Sequence, residues 1–93
     1  MHKFLVHRRA DHVGVATVDI AEGETIQGVY MDDNSTVEVV ARNSIPLGHK
    51  IALVDHPVGA DVIEYGQVIG VTSEPWTVGD YVHTHNIRTK RWA

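Results

Sequence analysis

A small all-β domain of many short strands is what the amino-acid sequence predicts, and three observations predict it. One local pattern occurs four times: an anchor residue, two residues, glycine, two residues, then Ile or Val. The segments between its copies are rich in β-branched residues and alternate with period 2, as half-buried strands do. No stretch sustains a helical period, and only Ala10-Asp11 and Asp55-His56-Pro57 offer the opening of a helical turn.

The four copies are Ile20-Ala-Glu-Gly23-Glu-Thr-Ile26, Ile45-Pro-Leu-Gly48-His-Lys-Ile51, His56-Pro-Val-Gly59-Ala-Asp-Val62 and Trp76-Thr-Val-Gly79-Asp-Tyr-Val82. Each places glycine where a tight turn demands positive φ, with a strand starting two residues later. The glycines are irregularly spaced, so this is one turn type reused and not a solenoid repeat. Residues 13–18 form the first clear strand, and Gly14 inside it marks a close backbone approach. Met31-Asp-Asp-Asn-Ser35 is a polar turn. Residues 36–41 alternate, with Val37 and Val39 inward and Glu38 outward. Residues 51–54 and 68–72 are more continuously apolar, as buried strands are. No linker or low-complexity segment interrupts the chain. Residues 1–93 therefore read as a single small β-barrel or β-clip domain.

Composition narrows the function. With 43% hydrophobic residues but six aromatics, the core draws mainly on Val, Ile, Leu and Ala. The absence of cysteine excludes disulfide frameworks, thiolate metal sites and a cysteine nucleophile, and fits a reducing cytoplasm. The apolar run at Phe4-Leu5-Val6 is too short for a signal peptide, and nothing approaches the ~20 apolar residues of a membrane span. A net charge of −4 argues against nucleic-acid binding. The cations cluster: none lies between Ile51 and Ile87. If the ends of the chain meet, Lys3, Arg8, Arg9, Arg88, Lys90 and Arg91 form one basic rim; otherwise they are two solvated ends.

The chemistry-bearing stretch is Gly79-Asp80-Tyr81-Val82-His83-Thr84-His85-Asn86. On a β-strand His83 and His85 project from one face, roughly 7 Å apart. Two neutral imidazoles so placed suit a metal or an acidic substrate, or else a structural or interfacial role. The cupin pattern does not fit, because no Glu follows between Asn86 and Ala93. His49 and Lys50 follow a tight turn and point to opposite faces; they are an anion-binding pair or a turn-fixing His beside a surface Lys. Asp11 is expected to accept backbone N–H groups in a turn. Arg88 and Arg91 either clamp an oxyanion or, with Trp92, dock a partner. Tyr65 packs its ring, and His2, His7, His12 and His56 are scattered, with no role assigned.

Four blocks in order carry a family resemblance: Asp11-His-Val-Gly-Val-Ala16, Ile45-Pro-Leu-Gly-His-Lys-Ile-Ala-Leu53, Glu64-Tyr-Gly-Gln-Val-Ile-Gly70 and Gly79-Asp-Tyr-Val-His-Thr-His-Asn86. The chain resembles the SAF (antifreeze-like, β-clip) domain of the altronate/galactarate dehydratase family. In the first block His12 and Gly14 replace the family's Asn and Ala, so no role is carried to position 12. The family makes this domain either fused to a large lyase domain or as a separate small subunit. Ending just after His-x-His-Asn, this chain looks like a separate alpha subunit, more of the sulfolactate sulfo-lyase kind than of the altronate kind. The resemblance implies elimination from a small 2-hydroxy acid, in complex with a large lyase subunit and with no nucleic acid or membrane as partner. It also implies a divalent metal, iron foremost, held mainly by the large subunit. On that reading His49 and His85 serve catalysis, Lys50, Asn86 and Arg88 bind substrate, and His83 and His85 ligate the metal. The competing reading is a non-catalytic SAF binding or assembly module, since fold alone does not fix function.

Overall fold

The structure is a computed structural model, and it describes residues 1–89. Nine strands make it up: β1 (Phe4–Val6), β2 (Val13–Ala16), β3 (Thr25–Tyr30), β4 (Thr36–Val40), β5 (Lys50–Ala52), β6 (Asp61–Glu64), β7 (Gln67–Thr72), β8 (Tyr81–Val82) and β9 (Ile87–Thr89). No helix occurs among the described residues, so the all-β expectation holds. One sheet has the order β4-β3-β1-β2-β5-β8 and the other β6-β7-β9. Neighbours are antiparallel except β1 and β3, which run parallel.

The four recurrent turns organise this arrangement. Gly23, Gly48, Gly59 and Gly79 have φ of 85°, 84°, 83° and 98°, and strands begin two residues on, at Thr25, Lys50, Asp61 and Tyr81. The turns meet in two pairs, through the bridges Ile20↔Ile45 and His56↔Trp76. Each pair is tied by an aspartate: Asp19 Oδ1 accepts the Leu47 N–H at 2.8 Å, and Asp55 Oδ1 accepts that of Val78 at 2.9 Å. Each turn glycine in addition donates its N–H across to a carbonyl of another segment, namely Ala41, Ala16, Thr72 and Ala52 in chain order.

Phe4 is the centre of the larger core. Its ring lies where side chains at Gly14 and Gly28 would be. An added Cβ would stand 2.7 Å from its Cδ2 at Gly14 and 2.1 Å from its Cε2 at Gly28. At Gly14 the Leu5 carbonyl also closes to 3.2 Å, the close approach expected there. Val6, Ala16, Ile20, Ile26, Val39, Ala41, Ile45 and Ile51 complete the buried cluster around it. Burying one such ring stabilises by about 1.5–3 kcal/mol. A second, smaller cluster joins Val13, Ala52, Val62, Trp76 and Val82. It packs beneath the segment that carries the histidines.

The first and third clear strands are shorter than the sequence pattern suggested, ending at Ala16 and Ala52. The strand through His83 and His85 is a correction. β8 ends at Val82, and residues 83–86 form a turn. Asn86 closes it: its Oδ1 accepts the His83 N–H at 3.0 Å, and its own N–H donates to the His83 carbonyl at 3.0 Å. Asparagine's short amide competes successfully with the ladder here. The two imidazoles therefore do not share a strand face.

Candidate functional site

β5 and β8 pair with Ile51 opposite Tyr81 and Lys50 opposite Val82. This register brings the turn at Gly48 beside the turn at 83–86. Between them opens a pocket of about 330 Å³ lined by Gly48, His49, Lys50, Val82, His83, Thr84 and Ile87. Two sequence-predicted blocks, separated by some thirty residues, thus form one hollow. A second, larger depression of about 430 Å³ lies at the Ile20↔Ile45 bridge. Its carboxylates are already committed: Asp19 holds the Leu47 amide, and Glu24 pairs with Lys3 and the Ala21 amide. Those contacts, the Lys3 hydrogen bond first, hold the Glu24 carboxyl below its ordinary range. The histidine-lined pocket is the one with side chains available for chemistry.

Tyr81 gathers the rings of the site. Its hydroxyl lies 2.6 Å from His49 Nδ1. Its ring stacks on His83 at 5.5 Å between centroids and meets His85 edge-on at 5.9 Å. His49 and His83 are 5.2 Å apart by ring centroid. His83 and His85 are exposed, whereas His49 is half-buried. Sequence reasoning passed over Tyr81, although its place two residues before His83 was a usable signal.

Lys50 sits at the pocket, but its ammonium is paired: Nζ lies 3.2 Å from Glu64 Oε1. Glu64 is only 5% exposed and lies 3.9 Å from His7 Nε2 as well. His7 in turn stacks on Tyr65 at 3.9 Å. A buried carboxylate is retained because the lysine compensates its charge. Asn86 is 4% exposed, and both ends of its amide bond backbone, Nδ2 donating to the Tyr81 carbonyl at 2.7 Å and Oδ1 accepting from His83. It shapes the turn. Arg88 is exposed on β9 opposite Val71, with no ion pair among the described residues.

Two of the N-terminal cations of the expected rim are already paired. Lys3 is neutralised by Glu24 and Arg9 by Asp33, and Arg8 lies over Gly66. Lys90, Arg91 and Trp92 lie outside the described residues. Asp11 behaves as expected of a turn acceptor: its carboxylate takes the N–H groups of Arg8, Tyr65 and Gly66. His12 and His56, given no role from sequence, touch: His56 Nε2 lies 3.0 Å from His12 Nδ1, which also accepts the Ile63 N–H at 3.1 Å. Their separation of 44 residues left no local signal. Burial, then the neighbouring His56, lowers the His12 pKa from 6.5.

The donor set bears on a metal. Among the described residues no three His, Cys, Asp or Glu side chains converge as a metal site would require. Two histidines of an exposed turn do not fit a complete centre, which takes at least three protein ligands in catalytic zinc sites and a comparable set elsewhere.

Comparison with known proteins adds an independent line. The sequence profile of the altronate/galactarate dehydratase SAF domain matches residues 2–90. The chain is 39% identical over 90 residues to the (2R)-sulfolactate sulfo-lyase subunit alpha of Chromohalobacter salexigens, covering 96% of each chain. It is 45% identical over 64 residues to the subunit of the same name from Paracoccus pantotrophus, covering 69% of this chain and 96% of that one. Against the altronate dehydratase of Escherichia coli it is 43% identical over 79 residues, which is 85% of this chain but 15% of the relative.

Proposed function

Because the chain belongs to the altronate/galactarate dehydratase SAF-domain family, we propose that it is the small subunit of a two-subunit lyase acting on a 2-hydroxy acid. Carbon–sulfur cleavage of sulfolactate is the first reading, and altronate-type dehydration is the second. One observation carries the first: the match to the sulfo-lyase alpha subunit runs over 96% of both chains, whereas the dehydratase match covers a 15% segment of a longer protein. High identity to that dehydratase segment keeps the second substrate class in the assay.

The chemistry of the pocket supports this division of labour. Elimination from a 2-hydroxy acid needs a base for one proton and a group that stabilises the departing or accumulating negative charge. His49 offers a ring N–H at one wall, and the Lys50 ammonium, though paired with Glu64, has further N–H groups beside it; together they are suited to hold a carboxylate or sulfonate. His83 lines the same pocket and is exposed, so a partner subunit can reach it. With His83, Thr84 and His85 exposed beside the hollow, the large subunit supplies the opposing wall and most of the catalytic groups on this reading. A divalent metal, with iron as the expected one, belongs on this reading to the large subunit, and this chain adds at most His83 and His85 to it.

The test is to purify the chain at native expression level and identify what co-elutes by mass spectrometry. The pure complex is then assayed for sulfite release from (2R)-sulfolactate and for dehydration of altronate. A stoichiometric large partner with turnover on either substrate supports the proposal and selects the reading. Recovery of the small chain alone under mild conditions refutes it and favours a free-standing binding module.

A further inference from the structure

Resting on the pocket assignment above, we infer that Tyr81 is its positioning residue and holds His49 in the tautomer that presents an Nε2–H donor to an anionic ligand. The contact is the 2.6 Å hydrogen bond between the Tyr81 hydroxyl and His49 Nδ1. A separation that short places one proton between the two atoms. A phenol donates O–H readily, and a neutral imidazole carries one nitrogen that can only accept. A phenol can also accept, so the contact alone fits either direction; in the inferred assignment the more acidic phenol O–H donates to Nδ1 and the ring's own proton lies on Nε2. Nε2 has no hydrogen-bond partner among the described residues, and His49 lines the pocket.

A positioning residue must itself be fixed, and Tyr81 is fixed from several sides. Its N–H donates to Asn43 Oδ1 at 3.0 Å, and its carbonyl accepts from Asn86 Nδ2 at 2.7 Å. Its ring is held face-on by His83, with an interplanar angle of 14°. Opposite it in the ladder stands Ile51, two residues beyond His49. Turning the hydroxyl away from His49 would leave a half-buried phenol without its partner.

The consequence is chemical. A metal would need the Nε2 lone pair, and in this tautomer that nitrogen carries the proton. His49 thus acts toward the ligand as a hydrogen-bond donor beside the Lys50 ammonium. The His49 N–H and the N–H groups that Lys50 keeps beyond its bond to Glu64 stand on adjacent residues and fit the carboxylate or sulfonate of a small hydroxy acid.

Two readouts test this. On the free full-length chain at about pH 8, where an ordinary imidazole is neutral, nitrogen-15 NMR reports which ring nitrogen of His49 is protonated. The expected result is protonated Nε2 in the wild type and mixed tautomers in Tyr81→Phe, with the backbone amide fingerprint preserved. Protonated Nδ1 in the wild type, or a Tyr81→Phe imidazole identical to it, overturns the inference. In the complex with the large subunit, Tyr81→Phe should raise KM about tenfold, by a larger factor than kcat falls. His49→Gln, which keeps an N–H donor, should bind substrate better than His49→Ala. An unchanged KM in Tyr81→Phe, or equal losses for Gln and Ala, overturns the donor role. If no complex or turnover exists, the proposed function fails, while the tautomer is still decided on the free chain.

Discussion

Replacing Asp11 by Ala tests the tie between the two sheets. Asp11 is 3% exposed, and its carboxylate accepts three backbone N–H groups, from Arg8 at 3.2 Å, Tyr65 at 3.0 Å and Gly66 at 3.2 Å. Arg8 follows β1, whereas Tyr65 and Gly66 form the tip of the β6–β7 hairpin. One side chain therefore pins the second sheet to the first. It also supports Tyr65 at φ 56°, a left-handed conformation that a residue with a Cβ adopts at a cost of roughly 1–2 kcal/mol. Hydrogen bonds to a charged acceptor contribute about 1.5–3 kcal/mol each. The three share one acceptor and do not add. The donors also lie on exposed residues, so water replaces part of what is lost. About 3 kcal/mol is the expected loss. For a domain of this size that lowers the thermal midpoint by roughly 12–24 °C. Asp11→Asn keeps one acceptor oxygen but turns an N–H₂ group toward a donor, and should fall about midway. Thermal unfolding followed by circular dichroism measures both, and hydrogen exchange should show the Tyr65 and Gly66 amides losing protection first. A shift in Asp11→Ala below about 4 °C, with those amides still protected, refutes the argument.

In the reconstituted complex the double variant H83A/H85A should lose about a hundredfold or more in turnover while co-eluting normally with the large subunit; retained activity with weakened assembly would place both histidines at the interface. Gly28→Ala puts a Cβ 2.1 Å from the Phe4 ring and should cost more than Gly23→Ala, which meets open space and loses about 1 kcal/mol for its φ of 85°; urea midpoints in the reverse order would refute the Phe4 account. The His12 pKa is lowered in the folded chain, so the unfolded chain takes up the proton more readily. Stability therefore stands above pH 6.5 and is lost as pH falls through 6.5 toward the folded value. Urea unfolding at pH about 7.5 and about 5.5 should show this loss, and His12→Asn should shrink it.

The turn framework was legible because each of its requirements is local. Gly48 needs positive φ whatever surrounds it, and the strand it feeds begins at Lys50, as the pattern indicated. Strand pairing was not legible, because register is set by partners distant in sequence. Phe4–Val6 gave a run of only three apolar residues, yet β1 is central, sandwiched between β2 and the parallel β3. Its importance lies in Gly14 and Gly28, which vacate space for Phe4 from two other strands. The site was half legible. His49, Lys50 and His83 do come together, because β5 pairs with β8. The alternation argument failed one residue beyond β8, where the Asn86 amide captured the His83 N–H and bent the chain into a turn. The burial of Glu64 behind Lys50 had no sequence signature at all, since the two lie fourteen positions apart on strands of different sheets.

The paired turns differ in what their anchors require, and the difference bears on the turn that carries His83 and His85. The two pairs are built alike, each bridged at its anchors and each tied by an aspartate to an amide. In the first pair the anchors are Ile20 and Ile45, both buried in the Phe4 core, and apolar contact is all they require. In the second the anchors are His56 and Trp76, which carry polar atoms that must be satisfied. His56 finds His12, and the Trp76 indole N–H donates to the Asn86 carbonyl at 3.0 Å. That carbonyl belongs to the residue that closes the turn bearing His83 and His85. A buried hydrogen bond of this kind fixes direction as well as distance, which an Ile at the same anchor could not do. The second pair therefore orients the backbone of the histidine turn, while the first pair, whose Gly48 turn carries His49 and Lys50 to the same pocket, is anchored by apolar side chains alone.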